Sequence, residues 1–159
     1  MAYMDEIRGF KPSPCNQGGT TERDARRPIV LVIEDGSELG DAFRSVGDCL
    51  DLTVTQVPSH EDLGAMLILH RPMAVVAEMD AVGQDGCHVL MTIAEHDREL
   101  PVLLIAGEDP TVLGAIDAVE EVWHLAFVAK WPRVLGIGAI VDFLFRAGRR
   151  GGCMRLMPV

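Results

Sequence analysis

Short apolar, β-branched runs recur along the chain, separated by longer amphipathic stretches. The runs are IVLVI (29–33), LTVTQV (52–57), MAVVAE (73–78), PVLLIA (101–106) and LAFVAK (125–130), with the length and composition of buried strands. Between and after them come SELGDAFRSVGDCL (37–50), SHEDLGAMLILH (59–70), GCHVLMTIAEHD (86–97), DPTVLGAIDAVEEVW (109–123) and WPRVLGIGAIVDFLFRAG (131–148), whose apolar residues fall at helical spacing. Five strands alternating with five helices are predicted. Ser59 with Asp62 three residues on, and Asp109 ahead of Pro110, read as helix starts. Strands that are apolar on both faces call for a parallel sheet covered by helices on each side, joined by right-handed crossovers. The fold class is therefore α/β, a doubly wound five-stranded domain over 28–148. Residues 1–27 read as a flexible leader and 149–159 as a flexible basic tail, since neither has a sustained apolar period.

Composition narrows the field. A chain of 159 residues is the size of one domain, and 48% hydrophobic residues exclude wholesale disorder. No apolar run reaches the ~20 residues of a membrane-spanning helix, and the N-terminus lacks the apolar core of a signal peptide, so a cytoplasmic location is expected. Cys15, Cys49, Cys87 and Cys153 are scattered without a CxxC pair and are expected to be reduced thiols. Charge changes the picture most. Residues 28–146 hold twenty acidic and six basic side chains, a balance of -14 within a chain of net charge -10, which repels nucleic acid.

Chemistry in an open parallel sheet gathers at the carboxyl ends of the strands. There the sequence sets Glu34 and Asp35 after the first strand, Glu78 at the end of the third, Ala106 after the fourth and Lys130 at the end of the fifth. The carboxylates and the ammonium are expected to converge.

The run IVLVIEDGSEL, an acidic residue closing the third strand with GQDG shortly after it, PVLLIA and AFVAKWP together resemble response-regulator receiver domains, the CheY-like family, over residues 28 to about 146. The resemblance implies a flavodoxin-like fold in which a histidine kinase phosphorylates an Asp at the end of the third strand beside a bound Mg²⁺. It implies metal ligands at Glu34, Asp35 and Glu78, with Mg²⁺ binding expected to be weak. Glu78 then falls at the phosphoacceptor position, Lys130 at the phosphoryl-contact lysine, Ala106 at the usual Thr or Ser, and Phe127 at the switch aromatic.

Three departures stand out: Glu78 replaces Asp, Ala106 has no hydroxyl, and Trp131 separates Lys130 from Pro132. A Glu carboxylate reaches one methylene further than an Asp, and a misplacement of about 1 Å costs on the order of a hundredfold in rate. The expectation is a degenerate, stand-alone receiver that is not an enzyme and acts on a protein partner, a histidine kinase or another signalling protein. The alternative is a receiver still phosphorylated at Glu78 or Asp80 that slowly loses the group. Three further alternatives stay open: Lys130 simply pairs with Glu78 and neutralises the acidic pocket, Phe127 is ordinary packing, and Glu34 with Asp35 forms an acidic loop that holds no cation. A flavin-binding reading is disfavoured because the EDGSEL loop is acidic where phosphate needs amide donors.

On the last helix, Val134, Ile137, Val141, Leu144 and Phe145 form one apolar stripe, leaving Leu135, Ile140 and Phe143 on other faces. Exposed apolar groups of this kind mark partner surfaces, so a homodimer through Leu135, Ile140 and Phe143 is expected, with Trp123 and Trp131 flanking the same face; the alternative is that the C-terminal tail folds back and covers it.

Overall fold

The computed structural model describes residues 27–59, 61–79 and 86–150. They form β1 (Ile29–Ile33), α1 (Glu38–Leu50), β2 (Thr53–Val57), α2 (Leu63–His70), β3 (Ala74–Glu78), α3 (Gly86–His96), β4 (Val102–Ile105), α4 (Pro110–Trp123), β5 (Val128–Trp131) and α5 (Ile137–Arg150). All neighbouring strands run parallel, in the order β2-β1-β3-β4-β5. This is the doubly wound, CheY-like flavodoxin architecture, with its reversal of strand order between β1 and β3.

Burial follows position in the sheet. The central strands β3 and β4 are buried almost throughout, whereas the edge strands β2 and β5 are largely half-buried. Alternate side chains feed two cores. Leu31, Ile33, Val75, Ala77 and Leu104 pack beneath Leu67 of α2, Ile93 of α3 and Ile116 of α4. On the other face Val30, Val32, Val76, Leu103 and Ile105 pack beneath Phe43 of α1 and Phe143 of α5.

Helix boundaries depart from expectation at two places. Asp62, not Ser59, is the N-cap of α2 and accepts from the Ala65 N–H. The last helix begins at Ile137, and Trp131 lies in β5, where it pairs with Ile105.

The face of this helix expected to be exposed is overturned as well. Ile140 and Phe143 are only 1% and 3% exposed and belong to the core, with Leu144 and Ala147. Spacing of three, four and seven residues makes these four a single helical stripe. Ile137, expected within the stripe, is instead 66% exposed. Leu135 precedes the helix and is half-buried. The tryptophans do not share a face either: Trp123 packs with the α2, α3 and α4 core and Trp131 with the α1 and α5 core.

Candidate functional site

Side-chain alternation decides which groups at the strand ends meet. Ile33 and Ala77 point to the α2, α3 and α4 face, so the next residues, Glu34 and Glu78, turn to the α1 and α5 face. Glu78 is half-buried and pairs in register with Ile105. In β5, Ala129 and Trp131 pack on the α1 and α5 side. Lys130, opposite Leu104, therefore points the other way.

Its ammonium is held there by α4. Lys130 Nζ lies 2.7 Å from Asp117 Oδ1 and 2.9 Å from Glu120 Oε2. Burial pulls the lysine pKa down, but the hydrogen bonds from Nζ to Asp117 and Glu120, together with their negative charges, outweigh it and leave the pKa above its ordinary value. The expected convergence of Lys130 with the three carboxylates is thus not what the fold builds. Its ion-pair partners are Asp117 and Glu120 on α4, and Trp131 occupies the end of β5 on the Glu34 and Glu78 face. With Trp131 in register with Ile105, its neighbour Lys130 takes the other face, since side chains alternate with a period of two.

Glu34 is the one buried charged side chain among the described residues, 3% exposed. Its Oε1 accepts the Leu39 N–H at 3.1 Å, and its Oε2 accepts the Gly40 N–H at 2.5 Å and Gln56 Nε2 at 3.2 Å. Gly40 permits this approach, because a Cβ there would lie 3.0 Å from Glu34 Oε2 and 2.7 Å from Gln56 Oε1. Asp35 is exposed and accepts from both the backbone N–H and the hydroxyl of Ser59. Ser59 therefore closes the β1–α1 loop onto the end of β2.

A divalent ion of the Mg²⁺ type needs several carboxylate, carbonyl or water oxygens arranged around one point. Glu34 gives both oxygens to backbone amides, and among the described residues no group of three or more His, Cys, Asp or Glu side chains could hold a metal ion. The arrangement of Glu34, Asp35 and Glu78 does not fit a shared ion.

Ala106 is buried in the α2, α3 and α4 core at the end of β4. Phe127 packs beside Phe143, their ring centroids 5.8 Å apart, and Trp131 meets the same ring edge-on at 6.5 Å. Asp80 lies outside the described residues. Gln56 and the Asp117–Glu120 pair had no signal as site residues in the sequence beyond their positions on β2 and on one face of α4.

No protein-family model matches the chain. In solved structures, the architecture matches CheY4 of Vibrio cholerae, a chemotaxis response regulator, with a TM-score of 0.62 and 11% identity over 76% of this chain and 98% of that one. The fold is that of response-regulator receiver domains. The receiver domain of a LuxO repressor protein from Vibrio parahaemolyticus agrees, with a TM-score of 0.63 and 15% identity over 82% of this chain and 96% of that one. So does the beryllofluoride-activated NtrC receiver domain, with a TM-score of 0.58 and 23% identity over 77% of this chain and 94% of that one. Among curated proteins, the C4-dicarboxylate transport transcriptional regulatory protein DctD of Pseudomonas aeruginosa is 31% identical over 99 residues. That match takes in 58% of this chain and 21% of the DctD sequence. No helix among the described residues is long and apolar enough to cross a membrane.

Proposed function

We propose that the chain is a receiver-type module of two-component signalling that works in the cytoplasm through contact with a histidine kinase or another signalling protein, without conventional Asp phosphorylation. The observation that carries this reading is the direction of Lys130. A phosphoryl acceptor needs positive charge where negative charge develops, and Lys130 is paired with Asp117 and Glu120 on the opposite face of the sheet from Glu78. Two features support it: the longer side chain of Glu78 at the acceptor position, and the methyl group of Ala106 where a hydroxyl would bind a phosphoryl oxygen. The match to DctD and to bacterial receiver domains supports the signalling context.

Incubation with acetyl phosphate and Mg²⁺ followed by intact-protein mass spectrometry tests the reading. The expected result is no phosphoryl adduct. A stoichiometric adduct that hydroxylamine removes would overturn it.

A further inference from the structure

The amide groups at the start of α1 already have their anion. Ser37 stands at the N-cap, yet its side chain makes no capping bond. The second and third N–H groups of the helix, those of Leu39 and Gly40, donate instead to the two oxygens of Glu34. A helix start carries partial positive charge and unpaired donors, and a carboxylate satisfies both. Bonds of this kind to an ionised acceptor are roughly twice as strong as neutral ones.

Gln56 ties the arrangement to β2. Its Nε2 donates to Glu34 Oε2 and to the Gly36 carbonyl, while its Oε1 accepts from Arg44 of α1. Asp35 adds a second tie through Ser59. The β1–α1 loop is thus joined to α1 at one side and to β2 at the other by hydrogen bonds between protein groups.

We infer that Glu34 is the resident anion of the α1 N-terminus and that the β1–α1 loop holds its arrangement without a divalent cation. Three N–H donors fill all but one of the roughly four acceptor sites of Glu34, so a cation bound through both of its oxygens would have to displace one of these donors. Removing the carboxylate from them would leave buried N–H groups unpaired, which is costly.

The test is thermal melting of the full chain at constant ionic strength, with Mg²⁺ raised to about 10 mM, alongside the Glu34→Gln variant. A hundredfold excess of an ion over its Kd raises the melting temperature by roughly 5–10 °C for a domain of this size. For the wild type no such rise is expected. Glu34→Gln is expected to melt roughly 5 °C lower, because a carboxamide offers one acceptor atom and turns its NH₂ toward the other amide. A saturable, Mg²⁺-dependent rise in the wild type would overturn the inference, as would a variant that melts with the wild type. If the variant fails to fold, the wild-type titration decides. The two readings fail separately: a Mg²⁺ response without a phosphoryl adduct removes only this one, and an adduct without a Mg²⁺ response removes only the one above.

Discussion

Lys130 shows how much one side chain's direction decides. With Asp117 and Glu120 both within 3 Å of its ammonium, it joins the edge strand β5 to α4. Lys130 and Glu120 are half-buried but Asp117 is exposed, so solvent screening keeps the contribution of these pairs small. Replacing it as Lys130→Met, which retains the aliphatic stem, is expected to lower unfolding free energy by about 0.5–1 kcal/mol at neutral pH. The folded pKa is raised; the contribution is therefore complete below the ordinary lysine value of about 10.4 and disappears as pH rises through the folded value. Urea unfolding of both proteins from pH 7 to strongly alkaline solution measures this, and a gap that persists or widens at high pH would contradict it.

Among the elements, α5 carries the clearest correction. Its stripe of Ile140, Phe143, Leu144 and Ala147 fills one core, while Ile137 stands in solvent. Ile140→Glu is accordingly expected to cost at least about 3 kcal/mol, since it buries an unpaired charge. Ile137→Glu should change stability by no more than about 0.5 kcal/mol. Denaturant melts separate the two; equal costs would place the helix in a different register. The strands, the helices and their order were legible beforehand because each strand is a continuous apolar run and each helix has an apolar period. The facing of α5 was not, because two stripes one residue apart fit the same spacing and the small Ala147 hardly registers as apolar. At β5 the limit is similar: whether Lys130 or Trp131 faces Glu78 depends on pairing with β4, which adjacent residues do not encode. Glu34 read correctly as a strand-end carboxylate. Its partners, two backbone amides and Gln56, are fixed only when α1 and β2 come together.

For the whole molecule, charge is the dominant long-range term. Residues 28–146 carry a formal charge of -14, and self-repulsion of that size opposes compaction. Salt at physiological strength shortens the screening length to about 8 Å, so the thermal midpoint is expected to rise by a few degrees between low-salt buffer and about 0.15 M NaCl. A fall would mean that local ion pairs such as Lys130 with Asp117 and Glu120 outweigh the net repulsion.

The parallel sheet has a consequence for how the chain reaches its native state. Among the described residues no strand is paired with another through a tight turn; Val30 of β1 must find Ala74 of β3 across the whole of α1, β2 and α2. Contacts so distant along the chain require loop closure before they gain anything from burial, which slows folding relative to helical bundles. During that interval the runs of β3 and β4, buried almost throughout in the finished sheet, are exposed with unpaired edges and liable to associate with other chains. A newly made copy of this module is therefore most vulnerable before β1 has gained neighbours on both sides.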